Sequence, residues 1–204
     1  MKKQYLLSLL LCAAGAAHGA ELIDLVVNTS AINGTTGSID FQFNPGAFMT
    51  QAATVQILDF TGATYIAGTQ SDIGGVTGGP LPSAITIANS GADNEDFEDI
   101  KFGNSLFLTL SFDGPAVNSP NGSLSGSTFA LSLFSDAGGT TPVLTTDPNG
   151  IVATVQLNRD TGALIDQAAS PNARFSPIPE PGSVLLLGGG LMALTAGRTL
   201  RKRA

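Results

Sequence analysis

The sequence predicts an all-β protein: a single antiparallel β-sandwich of jelly-roll or immunoglobulin-like form, flanked by an N-terminal signal helix and a short C-terminal hydrophobic helix. Three observations predict it. Between residues 20 and 175, apolar side chains recur at every second position in short runs, which puts one face of a strand on a core and the other in water. Clusters of Gly, Asn, Ser, Thr and Pro separate the runs, and these residues favour turns. Outside the two termini no stretch sustains the 3.6-residue period of an amphipathic helix. Short strands with one polar face and turn-rich connections pack best as two antiparallel layers.

The strands follow in order. "ELIDLVV" (21–27) is the first. In "SIDFQF" (38–43), Ile39, Phe41 and Phe43 alternate with Asp40 and Gln42. "TVQIL" (54–58) puts Val55 and Ile57 on one face, and "ATYIA" (63–67) and "AITIA" (84–88) are two further short strands. "SLFLTLSF" (105–112) sets Leu106, Leu108, Leu110 and Phe112 against Phe107, Thr109 and Ser111. "STFALSLF" (127–134) turns Phe129, Leu131 and Leu133 inward, and "IVATVQLN" (151–158) does so with Ile151, Ala153, Val155 and Leu157. A turn at 159–162 then leads into "ALI". The stretches 71–83, 113–126 and 135–150 read as the longer loops. All eleven Phe lie between Phe41 and Phe175, mostly at inward positions, and read as core.

The two ends differ from this middle. Lys2 and Lys3, an apolar run from Leu6 to Ala17 and then small residues form the layout of a secretory signal peptide over 1–19, cut between Gly19 and Ala20. Cys12 follows three leucines rather than a small residue, which argues against a lipoprotein signal. At the other end, Pro177, Pro179 and Pro181 favour an extended, solvated segment that a processing enzyme binds easily. Ser183 to Gly197 carries no charge. As a helix it would be roughly 22 Å long, short of the ~30 Å hydrocarbon core, and so suits a stop-transfer segment better than a permanent anchor. Arg198, Arg201, Lys202 and Arg203 then hold the tip on the cytoplasmic side. The plan is a signal peptide at 1–19, a β-domain at 20–175, a Pro-rich linker at 176–182, a hydrophobic helix at 183–200 and a basic tip at 201–204.

Pro179-Glu180-Pro181, the short apolar run and the basic cluster, paired with a signal peptide, resemble the PEP-CTERM sorting signal. The resemblance covers 179–204, with Thr199 and Leu200 interrupting the basic cluster. It implies cleavage near Pro179, Glu180 and Pro181 by exosortase, a membrane-embedded cysteine enzyme of Gram-negative bacteria that export polysaccharide. It also implies delivery of the mature protein to the cell surface or extracellular matrix. For the central domain it implies only the variable, Cys-poor, Ser/Thr/Gly-rich body of this class.

Charge and composition bound the chemistry of that body. Lys101, Arg159 and Arg174 are its only cationic side chains, against fifteen of the sixteen acids. So acidic a surface repels nucleic acid and anionic headgroups. Cys12 and His18, the only Cys and His, both fall in the leader. The mature domain therefore lacks the side chains for Ser-His-Asp or Cys-His catalysis, for His or Cys zinc sites and for thiol redox. Carboxylate chemistry and oxygen-ligand cation binding survive.

"DNEDFED" (93–99) holds Asp93, Glu95, Asp96, Glu98 and Asp99, with Asn94 among them. It reads first as a solvated acidic loop and second as a Ca²⁺ loop, although the glycine and terminal glutamate spacing of an EF-hand are absent. Asp136 and Asp147 are a further candidate cation pair, with "TDPNG" (146–150) first of all a turn. A glycosidase needs two carboxyls across a sugar cleft, commonly lined by aromatic rings. The chain has no Trp, and Tyr65 is the only Tyr outside the leader. Asn28, Asn33 and Asn121 head Asn-x-Ser/Thr triplets, which are frequent by chance in so Ser/Thr-rich a chain.

The reading is an exported protein processed at its C-terminus, with a non-catalytic structural or adhesive β-domain and no resident cofactor. Its partners are signal peptidase, an exosortase-like membrane enzyme, the inner membrane transiently, and exopolysaccharide. A calcium-dependent glycan-binding module is one alternative, an uncut membrane-anchored periplasmic protein another, and a carboxylate hydrolase a third.

Overall fold

A computed structural model describes residues 20–178. Eleven strands form one antiparallel sheet: β1 (Glu21–Asn28), β2 (Thr36–Pro45), β3 (Thr54–Tyr65), β4 (Ser71–Ile73), β5 (Gly75–Gly78), β6 (Ile85–Ala88), β7 (Glu95–Asp113), β8 (Ser127–Phe134), β9 (Ile151–Leu157), β10 (Leu164–Ala168) and β11 (Ala173–Pro177). The path runs β10-β9-β8-β2-β7-β3-β6-β5, with β1 joining β7 to β11 and β4 lying along β7. Among the described residues, helical structure is confined to a 3₁₀ turn at Ser30–Ile32 and a single turn, α1 (Pro115–Asn118).

β7 holds the two layers together. Its first half pairs with β2 from Lys101 back to Glu95, while its second half pairs with β1 and with the start of β3. The sheet folds at this strand, so the inward faces meet and bury Leu106, Leu108, Leu110 and Phe112 of one layer against Ile39, Phe41, Phe43, Phe129 and Leu131 of the other. Phe112 marks the contact: its ring meets Phe43 at 5.9 Å and Phe129 at 6.3 Å, both edge-on. Edge-to-face pairs set the positive rim of one ring against the negative face of the next. The sandwich-like all-β architecture agrees with the alternation in the sequence, whose inward positions are buried except Ile151, which a register shift opposite Ser132 leaves half-buried while Val152 is buried instead. The flanking helices fall at 1–19 and 183–200, outside the described residues.

Several local expectations need correction. Residues 54–58 and 63–67 are not two strands, since β3 runs from Thr54 to Tyr65 and absorbs two register shifts between Leu58 and Ala63. Asp59 (φ 53°) and Gly62 (φ 93°) make those shifts, and a Cβ at Gly62 would collide with the Ser105 carbonyl. The stretch 71–83 contains β4 and β5 rather than loop alone. β11 extends the fold through "ARFSP", which takes in Ser176 and Pro177 of the Pro-rich segment. One Phe departs from the core reading: Phe48 is 68 % exposed.

The end at which the described chain leaves is well defined. Pro177 pairs with Ile23, Ile178 N–H donates to the Leu22 carbonyl, and Glu21 pairs with Phe112. β3 begins there too, with Thr54 opposite Asp113. Loops 46–53 and 114–126 close the same end, tied by Ala116 N–H to the Ala52 carbonyl and by Ser125 N–H to the Met49 carbonyl.

Candidate functional site

The acidic stretch is not a loop. From Glu95 onward it is the first half of β7, in register with β2: Gln42 opposite Glu95, Phe41 opposite Asp96, Asp40 opposite Phe97, Ile39 opposite Glu98 and Ser38 opposite Asp99. Strand alternation then divides the acids between two faces. Asp96 and Glu98 share the inward face with Phe41 and Ile39, and both are fully buried. Glu95 and Asp99 lie on the other face, and Asp93 stays in the preceding turn. The five acids therefore do not converge on one point.

Each buried carboxyl has a specific neighbour. Both Glu98 oxygens accept the Leu81 N–H, at 3.0 and 3.1 Å, from the 79–83 turn that closes over the strand. Asp96 Oδ1 accepts from Gln70 Nε2 at 2.9 Å, and the same nitrogen reaches Asp72 Oδ1 at 3.3 Å and the Gly78 carbonyl at 3.4 Å. Asp96 Oδ2 has no partner. On the opposite face, Gln42 Nε2 bridges Asp40 Oδ2 at 2.8 Å and Glu95 Oε2 at 3.4 Å, leaving Asp40 Oδ1 unpartnered.

Among the described residues the ion pair is Arg159–Asp160, in the exposed 159–162 turn, and these carboxyls take their hydrogen bonds from amides instead. Burial therefore favours the neutral acid. It pushes Asp96 up to about 8, with the Asp72 carboxyl adding to the effect and Gln70 opposing it. Burial pushes Glu98 up to about 7 against the Leu81 N–H, with Asp72 adding repulsion. Asp40 is pushed up to about 7 by burial and by Glu95, with Gln42 opposing. Burial raises Glu95 and Asp99 as well. The arrangement raises the proton affinity of Asp96 and Glu98 on the inward face and of Asp40 on the other.

Asn94 fastens the start of β7 and is fully buried. Its Oδ1 accepts from Gly75 and Gly91 N–H, both at 3.0 Å, and its Nδ2 donates to the Gly91 and Phe43 carbonyls. In the sequence it looks like one more acidic-loop residue; its role depends on two segments, 75 and 43, that only the fold brings near.

Asp136 and Asp147 each accept N–H groups of their own turn. Asp136 accepts N–H groups from Gly138, Thr140 and Thr141, and the Thr140 N–H foremost holds it down to about 2. Asp147 accepts the Asn149 N–H and closes its own turn. Among the described residues, no group of three or more His, Cys, Asp or Glu is placed to hold a metal ion. Tyr65 is committed as well: its hydroxyl accepts the N–H groups of Gly68, Thr69 and Gln70, fixing the turn after β3. A shallow polar groove of 710 Å³ opens at the end opposite the chain exit, lined by Asn33, Thr64, Lys101, Asn104 and Ser105. None of the buried carboxyls reaches it.

Ala20 is half-buried just before β1. Gly19, Pro179, Glu180, Pro181, Arg198, Arg201, Lys202 and Arg203 lie outside the described residues. What the structure describes is the lead-in, with β11 paired through Pro177 and Ile178 still bonded to β1. Among the described residues no helix is long and apolar enough to cross a membrane. A family model described as the PEP-CTERM protein-sorting motif matches residues 177–202. No curated protein and no solved structure matches the chain.

Proposed function

Because the chain carries a PEP-CTERM protein-sorting motif, the mark of an exported protein targeted to exosortase and passing to the cell surface, we propose that it is a structural or adhesive component of the surface or extracellular matrix whose β-domain has no catalytic role. The observation that carries this reading is the match over 177–202, which begins at the residue where β11 ends. Pairing of that last strand to β1 runs through Pro177, with Ile178 bonded to Leu22, so a cut at Pro179-Glu180-Pro181 leaves every described strand whole. The non-catalytic reading is supported by a mature domain without His or Cys and by acids held in internal hydrogen bonds. Exopolysaccharide is the partner in keeping with an acidic, Ser/Thr-rich surface delivered outside the cell.

The test is to replace Pro179, Glu180 and Pro181 together by alanine in the full chain, expressed in cells that contain the sorting enzyme. The variant is expected to stay in the membrane fraction while the parent is released from it. Equal release of both would remove these three residues from the recognition step.

A further inference from the structure

Among the described residues, the large apolar side chains most exposed to water are Met49 (76 %), Phe48 (68 %) and Leu124 (62 %). Single exposed apolar residues are ordinary, but these three lie on two loops bonded to each other. Thr50 bridges to Ser125, Ser125 N–H donates to the Met49 carbonyl at 3.2 Å, and Phe48 N–H donates to Ser125 Oγ at 3.4 Å. Arg159 donates to the Leu124 carbonyl at 2.7 Å and steadies the second loop. The loops close the end of the sandwich at which Pro177 and Ile178 leave beside Ile23 and Leu22.

We propose that this end of the domain docks on a lipid bilayer, with Phe48, Met49 and Leu124 entering the interface while the C-terminal segment is inserted. The proposal rests on the sorting reading, because that segment is the tether. From Ile178 to Ser183, where the uncharged run begins, is five residues. Fully extended they span at most about 18 Å, so the exit end is held close to the headgroups. At that distance the apolar loop tips reach the interface, where amphipathic surfaces bury about 5–10 Å deep.

The partner is a zwitterionic surface. The domain's acidic excess opposes anionic lipid, and Asp113 and Asp160 lie at the same end. Three side chains bind a bilayer weakly by themselves, and the tether supplies the effective concentration that keeps them there. Docking would present Pro179, Glu180 and Pro181 at the membrane surface, where a membrane-embedded enzyme works. Cutting the tether would then free the domain.

The chain has no Trp, so one introduced Trp reports its own depth. Three full-length variants, Phe48→Trp, Ala137→Trp and Leu187→Trp, would be reconstituted in phosphatidylcholine vesicles containing brominated phosphatidylcholine. Ala137 is exposed in the turn after β8, at the opposite end of the sandwich. Bromolipid is expected to quench the Trp at 48 about twofold or more, as it does the one at 187, and to leave the one at 137 unquenched. Quenching at 187 with none at 48 would overturn docking and leave the sorting reading standing. Quenching at neither position would overturn both.

Discussion

Between about pH 5 and pH 8 the domain is expected to lose stability, its melting temperature falling by ten degrees or more. Asp96, Asp40 and Glu98 stand at about 8, 7 and 7 in the fold, against 3.8, 3.8 and 4.5 ordinarily. The folded chain therefore holds more protons than the unfolded chain across that interval, and stability falls wherever that is so. The contribution of these carboxyls is fully present below their ordinary values and is lost as the pH rises through about 7 to 8. Each carboxyl protonated in the fold and ionised in the unfolded chain removes about 1.4 kcal/mol per pH unit. A domain of this size shifts by roughly 3 °C per kcal/mol, so even part of that slope gives ten degrees.

Asp136 runs the other way, because its lowered value makes it a stabiliser only above the ordinary carboxylate range, and that share is lost as the pH falls through about 4 to 2. The maximum is expected near pH 4 to 5. Asp96→Asn keeps an acceptor for Gln70 and has no charge to bury, so it should melt higher than the parent at pH 8 and with it at pH 5. Parallel pH profiles by circular dichroism for parent and variant would refute the burial account of Asp96.

Phe112→Ala is expected to cost about 3–5 kcal/mol, the loss of a fully buried ring plus the cavity it leaves. Phe112 touches Phe43 and Phe129 across the fold of the sheet, and so joins the two layers. Phe107→Ala, on the opposite and half-buried face of the same strand, should cost much less. Urea unfolding of both variants measures the difference, and equal costs would mean that the layers are not held at Phe112.

Much of this fold was legible because alternation is a local signal. The inward sets Ile39-Phe41-Phe43, Leu106-Leu108-Leu110-Phe112 and Phe129-Leu131-Leu133 are all buried as their spacing implies. The acidic stretch misled for the opposite reason. Asp96 and Glu98 sit at inward positions of a strand, but burying a carboxyl is costly, so acids in a row read as solvated loop. What makes it tolerable is Gln70, the Leu81 N–H and a raised affinity for a proton, and the first two come from segments 17 to 26 residues away. β11 escaped notice because "ARFSP" is short and holds a proline, and its pairing with β1 joins the two ends of the domain. The sorting segment was the most legible part, since composition and order alone define it.

The most direct test of the sorting account is the intact mass of the protein recovered from outside its native cells. The account predicts a chain that starts near Ala20 and ends near Pro179-Glu180-Pro181. A mass that still includes Arg198 to Ala204 would contradict it and leave the C-terminal segment as an uncut anchor.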